Sequence, residues 1–259
     1  MSAANTHTAA LRADGTLWAW GDNGSGQLGN GSFTSTNQPV RVGDDANWQA
    51  VSAGGNHTVA LRTDGTLWTW GYNYHGELGI GTFSTTPPNG TNQPVQVGTN
   101  ANWQAVAAAS SHTLALRNGT LWAWGYNENG QLGIGTTDDV NRPVQVGTDA
   151  NWRAIATGDS HSAALRADGT LWVWGFNASG QLGNGTTNNV NYPTQMGTDT
   201  DWQAVAVGGS GFFGSGFTVA LRTDGTLWAW GDNSWGQIAQ PVSWLPYPAP
   251  GDNWGLPED

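Results

Sequence analysis

Thr66-Leu67-Trp68-Thr69-Trp70-Gly71, followed by Asn73 and then Gly76-Glu77-Leu78-Gly79, is the stretch whose reading decides the fold. Near-copies of T-L-W-x-W-G start at Thr16, Thr120, Thr170 and Thr226, so the first Trp of each falls at 18, 68, 122, 172 and 228. Self-similarity at a period of about fifty residues marks a propeller or solenoid, in which each unit buries its apolar face against its neighbours.

Each unit reads as four short strands. In the second, Asn47 to Ala53 is an inner strand, Gly54-Gly55-Asn56 a turn, and His57 to Arg62 the next strand. Asp64-Gly65 supplies the positive φ angles of a two-residue hairpin turn, and Thr66 to Gly71 is the third strand. A long Gly- and Asn-rich loop leads to Pro94-Val95-Gln96-Val97, the fourth, where Pro suits an outer edge because it has no N–H to donate to a ladder. The pattern recurs with Trp103, His112 and Pro143, with Trp152, His161 and Pro193, and with Trp202, Phe217 and Pro241. Met1-Ser2-Ala3 matches Val51-Ser52-Ala53, and Asp252-Asn253-Trp254 matches the start of an inner strand. The expectation is therefore all-β: a single closed five-bladed β-propeller with four antiparallel strands per blade and a C-terminal strand completing the N-terminal blade, which leaves no exposed sheet edge. The repeats fall at about 1–46, 47–101, 102–150, 151–200 and 201–250, with 251–259 closing the first blade.

Composition bounds the partners. The 259 residues include 17 Trp and 39 Gly but only 10% charged residues, so burial rests on aromatics packed between turn-rich strands. Eight cations, all Arg, face 19 acids for a net charge of −11, and such a surface repels nucleic acid and anionic membranes. With no Cys there is no disulfide, thiolate metal site or cysteine nucleophile. No apolar run spans a bilayer. High Asn, Thr and Gly without Lys or Cys leans toward a secreted or cell-surface bacterial protein.

The units resemble repeats of the regulator of chromosome condensation family on Gly54-x-x-His57-Thr58-x-Ala60-Leu61, then Asp64-Gly65 and Trp70-Gly71-x-Asn73-x-x-Gly76-x-Leu78-Gly79. That resemblance covers nearly the whole chain. It implies a propeller acting as an interaction surface, with the repeated His packed and hydrogen-bonded inside its own blade.

Candidate functional residues sort by face. His7, His57, His112 and His161 share one repeat position, where burial is the reading and a metal ring the alternative. The Arg residues preceding each hairpin, Arg62 among them, are read as pairing with the hairpin Asp. Before the inner-strand Trp residues, Asp45, Asp149, Asp199 and Asp201 are weak candidates for a hard cation, against the reading that they serve tight turns. On the other face the turns carry Asn56, Ser111 and Asp159. There the fifth unit breaks symmetry, with Phe212 and Phe213 in an expanded turn and Trp235 on a shortened loop, a possible aromatic platform.

The function expected is a non-catalytic binding module that holds a protein or carbohydrate ligand on Asn56, Ser111, Asp159, Phe212, Phe213 and Trp235, as a monomer and without a cofactor. The alternative is a polysaccharide hydrolase using Asp159 with His161 in a pocket on this face, with Glu77, Glu128, Asp138 and Asp139 lying further out on longer loops. It lacks a complete constellation, because glycoside hydrolysis needs two carboxylates across one pocket.

Overall fold

The computed structural model describes residues 1–210 and 215–238. Among them are nineteen strands and no helix, in five antiparallel sheets. The first sheet is β1 (Ser2–Ala3), β2 (His7–Leu11), β3 (Leu17–Gly21) and β4 (Thr36–Arg41); the second is β5 (Trp48–Ala53), β6 (His57–Arg62), β7 (Leu67–Tyr72) and β8 (Gly90–Gln96). The third is β9 (Trp103–Ala108), β10 (His112–Arg117), β11 (Thr120–Gly125) and β12 (Val140–Gln145). The fourth is β13 (Trp152–Thr157), β14 (His161–Arg166), β15 (Leu171–Gly175) and β16 (Val190–Gln195); the fifth is β17 (Trp202–Ser210), β18 (Ser215–Arg222) and β19 (Leu227–Gly231). Strands pair in chain order within every sheet. Pro39, Pro94, Pro143 and Pro193 lie on the outermost strand, beside register shifts such as that between Thr69 and Gly71. A residue without an N–H is tolerated there because the bulge and the edge ask for none. The closing strand expected at 251–259, and a fourth strand at Pro241, lie outside the described residues.

The chain forms two compact units, residues 1–127 with 138–150, and residues 128–137 with 151–259. In each, the core lies between consecutive sheets. Ala9, Leu17, Ala19, Leu28 and Val42 of the first sheet and its loops pack on Trp48, Ala60 and Trp70 of the second. Val59, Leu61, Leu67 and Val97 then pack on Trp103, Ala115 and Trp124. In the second unit Ala163, Leu165, Leu171, Val173, Leu182 and Met196 pack on Trp202, Ala220 and Trp230. The second sheet thus has two buried faces. The His/Val/Leu side of β6 meets the following sheet, and the Thr/Ala/Trp side of β6 and β7 meets the preceding one.

The hairpins correct the turn expected from Asp-Gly. Arg62 N donates to Thr66 O and Gly65 N to Arg62 O, and only Gly65 has positive φ, at +77°. This is a three-residue loop, a type I turn closed by a left-handed glycine. The third hairpin is one residue shorter, and there Asn118 (+51°) and Gly119 (+75°) both adopt positive φ, as a two-residue turn requires. Asp64 instead accepts from the Thr66 hydroxyl at 2.6 Å, and that hydroxyl accepts the Trp68 indole N–H at 2.9 Å. Arg62 consequently looks elsewhere. It pairs with Asp45 and lies 3.7 Å above the Trp68 ring, so its charge is held by a carboxylate outside the hairpin and a π-face.

The Gly-rich loops close on the next sheet. Asn73, fully buried, accepts the Leu78 N–H at 3.1 Å and donates to Thr82 O at 3.0 Å, bending the loop so that Gly79 lies on Trp124. A Cβ at Gly79, where φ is +67°, would stand 2.7 Å from Trp124 Nε1, whereas Gly98 has φ +61° and open space. Gly98→Ala meets only the left-handed backbone penalty, about 1 kcal/mol, and Gly79→Ala adds overpacking of about 1–3 kcal/mol. Urea denaturation of the two variants measures the difference, and equal losses would show that the glycine–indole contact is loose.

Candidate functional site

The buried polar groups at the sheet boundaries form a repeated hydrogen-bond lock. Gln27 O accepts the Thr58 hydroxyl at 2.8 Å and the Trp70 indole N–H at 2.9 Å, both from the following sheet. Glu77 O does the same with Thr113 (3.1 Å) and Trp124 (2.8 Å), Gln131 O with Ser162 and Trp174 (2.8 Å each), and Gln181 O with Thr218 (2.8 Å) and Trp230 (3.0 Å). Each Thr hydroxyl also meets a His of the preceding sheet: His7 Nε2 at 2.8 Å from Thr58, His57 at 3.0 Å from Thr113, and His161 at 3.1 Å from Thr218. Because the hydroxyl proton goes to the carbonyl, Nε2 must donate, which fixes the neutral Nε2–H tautomer. Burial pushes His7 down to about 4, His57 to about 3 and His161 to about 4. The sequence placed these His residues inside their own units; their partners lie across the boundary.

His161 is therefore a structural donor, buried and committed to Thr218. Asp159 lies on the same turn, half-buried, two residues away. Of the cation candidates, Asp45 pairs with Arg62, and Asp199 (2.5 Å) and Asp201 (3.7 Å) pair with Arg222; Asp149 is exposed. Among the described residues no three His, Cys, Asp or Glu side chains converge. Phe212 and Phe213 lie outside the described residues. Trp235 is 91% exposed, on the loop position that His75 holds in the second unit of the repeat.

In the first compact unit the structure brings Asn56 and Ser111 beside an aromatic cluster. Asn56 O accepts the Tyr72 N–H and Ser111 O the Tyr126 N–H, both at 2.9 Å. Tyr72 and Tyr74 stack with centroids 6.3 Å apart; His75 stands edge-on to Tyr74 at 5.0 Å and to Tyr126 at 4.7 Å. His75 Nδ1 lies 2.7 Å from Asp139 Oδ2, and Asp139 Oδ1 accepts the Asn127 N–H at 2.8 Å. Tyr74 is 46% exposed. Beneath the cluster Glu77 is fully buried, with Oε2 accepting the His75 N–H at 2.9 Å and Oε1 lacking a partner. Burial, with Asp139 as a lesser cause, pushes Glu77 up to about 8, so it is a neutral acid at pH 7. Burial and then Glu77 raise the Tyr72 phenol. The signal in the sequence was Glu77 itself, where the other units have Gln27, Gln131, Gln181 and Gln237, together with Tyr74-His75 where they have Gly24-Ser25, Glu128-Asn129, Ala178-Ser179 and Ser234-Trp235.

A family profile described as an RCC1-like domain matches residues 1–248. The chain is similar to the ultraviolet-B receptor UVR8 of Arabidopsis thaliana, at 30% identity over 140 residues covering 54% of this chain and 32% of the receptor. Human WBSCR16 is similar in structure, with a TM-score of 0.82 at 23% identity over 98% of this chain and 66% of that one. Prp20p of Saccharomyces cerevisiae has a TM-score of 0.72 at 23% identity, covering 84% and 54%. At such identities the two structures speak for the fold alone. The chain spans about a third of the receptor's length and between half and two-thirds of the two structures.

Two opposite pH dependences follow. The locked His residues bind protons in the unfolded chain near 6.5 but not in the folded one until about 4 or below, so stability falls as pH drops through that window. Glu77 is raised, so its contribution is complete below the ordinary glutamate value of 4.5 and is lost as pH rises toward 8. Glu77→Gln should match the parent at pH 4.5 and exceed it increasingly up to pH 8, by on the order of 1 kcal/mol per pH unit, in urea titrations at each pH. A difference independent of pH would show that Glu77 is ionised in the fold.

Proposed function

The chain belongs to the RCC1-like domain family, and from that membership we propose that it is a non-catalytic interaction module whose Gly- and Asn-rich loops hold a partner protein. The cluster of Tyr72, Tyr74, His75 and Tyr126 carries this reading. Its rings lie on loops anchored by buried Asn73 and Asn127, so exposed aromatic surface is offered with little entropy left to lose. Asn56 and Ser111 add polar groups at its side, and Asp139 a carboxylate. In the second compact unit the exposed ring of Trp235 and half-buried Asp159 are the candidates. Prp20p, a more distant likeness, is described with binding properties to Gsp1p and histones. A carbohydrate ligand is the second occupant these rings suit, since sugars stack on aromatic faces. Catalysis by Asp159 with His161 would need an imidazole free to take a proton, and burial in a donor role opposes that.

Selection of a displayed peptide library against the parent protein tests the proposal. Selected peptides should lose about tenfold or more in affinity on Tyr74→Ala, and less on Trp235→Ala if the first unit dominates. Binding only on a glycan array, with no peptide selected, would replace the protein partner by a carbohydrate. Turnover of chromogenic glycosides that disappears in Asp159→Asn would overturn the non-catalytic reading.

A further inference from the structure

The sequence holds six Asn-Gly pairs, beginning at Asn23, Asn30, Asn89, Asn118, Asn129 and Asn184. Such a pair is chemically labile, because glycine has no Cβ to shield its amide nitrogen from the carboxamide carbon before it. The fold ties down five of the six. Asn23 is buried, with Oδ1 accepting the Leu28 N–H at 2.9 Å and Nδ2 donating to Ser32 O at 3.0 Å. Asn30 and Asn184 each accept the N–H and hydroxyl of the residue two positions on, Ser32 and Thr186, at 2.9–3.1 Å. Asn129 Oδ1 accepts from Asn189 at 3.3 Å, and a Cβ at Gly130 would stand 2.5 Å from that of Asn191. Asn89 is held through its backbone, its N–H on Thr86 O at 2.9 Å and its carbonyl on the Asn73 N–H at 2.7 Å, and a Cβ at Gly90 would run into Gly71 O and Ser25 O.

Asn118 is not held in this way. It is exposed at the tip of the two-residue hairpin between β10 and β11, and among the described residues its carboxamide has no partner. In the other four hairpins the matching residue is Asp14, Asp64, Asp168 or Asp224, each accepting the N–H and hydroxyl of the Thr two residues on at 2.6–3.0 Å. Those bonds lower the carboxyl and keep it ionised, which makes it a poor electrophile. In the third hairpin the Thr120 hydroxyl donates to Arg117 O at 2.6 Å instead.

We propose that Asn118 is a deamidation site of the folded protein, at which the Gly119 nitrogen displaces ammonia from the side chain. The Gly119 nitrogen gives up its proton and attacks Asn118 Cγ, and the new N–Cγ bond closes a five-membered succinimide. The Cγ–Nδ2 bond breaks, and the amide leaves as ammonia with that proton. Water then opens the ring. Its attack at Cγ restores the original backbone and leaves an aspartate; its attack at the backbone carbonyl leaves the chain running through Cγ, an isoaspartate with one extra methylene in the main chain. The ring closure needs ψ of Asn118 to rotate out of the turn, and the bond within the loop that opposes this is a surface one, Gly119 N–H to Gln104 Oε1 at 3.0 Å. Opening confined to a loop tip is the low-energy kind. The two products act differently on the sheet. Thr120 accepts the Trp122 indole N–H at 2.8 Å, and Arg117 lies 4.0 Å above the same ring. A two-residue loop has no spare residue to absorb a longer main chain, so isoaspartate disturbs the Arg117–Thr120 pairing, whereas aspartate leaves it as it is.

Incubating the protein folded and, in parallel, unfolded in guanidinium at mildly alkaline pH tests this, with each Asn-Gly peptide followed by mass after digestion. Transfer of a labelled methyl group by an isoaspartyl methyltransferase marks the isoaspartate. Unfolded, the six sites should convert at similar rates; folded, Asn118 should convert at least about tenfold faster than the other five. Gln104→Ala should speed the folded reaction at Asn118 severalfold and leave the other five sites unchanged. Aged protein should melt a few degrees lower in proportion to its methyl-accepting fraction, while Asn118→Asp melts with the parent. Equal rates at all six sites in the folded protein would overturn the proposal, as would no conversion at Asn118 over the time in which the unfolded chain converts. A Gln104→Ala variant that ages no faster would remove the Gly119–Gln104 bond as the restraint, and an isoaspartate as stable as Asn118→Asp would remove the effect on the sheet.

Discussion

A single backbone carbonyl in each long loop, at Gln27, Glu77, Gln131 and Gln181, is the point on which neighbouring sheets depend. It uses both lone pairs on donors of the next sheet, one a hydroxyl and one an indole, in an interior that leaves no water to replace them. Each such bond contributes about 1 kcal/mol net, but an orphaned buried donor costs more than the bond contributes. The lock therefore specifies how sheets stack more strongly than it stabilises them. Slippage by one residue would strand the hydroxyl, the indole and the imidazole together.

The composition follows from this constraint. Trp is abundant because one side chain both fills the inter-sheet core and supplies a donor at its far end. Trp48 illustrates the economy, standing edge-on to Trp68 at 6.3 Å and to Trp70 at 5.8 Å while Arg62 covers it at 4.7 Å. Glycine is abundant because the chain must pass directly over those indoles in a left-handed conformation. With these two residue types carrying the core, few charges are needed inside, and the acidic surplus is left to turns and loops.

The architecture was legible because a fifty-residue period survives in the sequence without any structural input, and because Pro on the last strand and Gly at the turns mark the edges. What was not legible involves partners far apart in sequence. His57 meets Thr113 across 56 residues, and nothing local distinguishes that bond from one inside its own unit. The hairpin reading failed on a count: Thr63 adds one residue to the loop, which moves the positive φ from two positions to one, and only the Asn118-Gly119 turn is short enough to behave as Asp-Gly suggested. Arg62 was assigned to Asp64 by proximity, but Thr66 already occupies that carboxylate, leaving the Arg to Asp45. The aromatic cluster was not legible because its residues lie in units that are regular in backbone and unusual only in side chains, and because His75 meets Tyr126 across 51 residues.

Glu77 joins the two themes. Its backbone carbonyl is one of the four lock points, so the residue cannot move; its side chain replaces an amide that, in Gln27, accepts the Ser25 N–H through one atom and donates to Asp22 through the other. In the second unit Tyr72 stands where Asp22 would be, so an amide there would lose its acceptor, and an acid sharing the space with Asp139 stays protonated instead. An aromatic ring at that position does not by itself dictate the acid, since Tyr126 and Phe176 stand there in units that keep Gln131 and Gln181; the acid is peculiar to the second unit. A neutral carboxyl beneath stacked rings keeps the cluster's floor uncharged, with the Asp139 side chain bound to His75 at its rim.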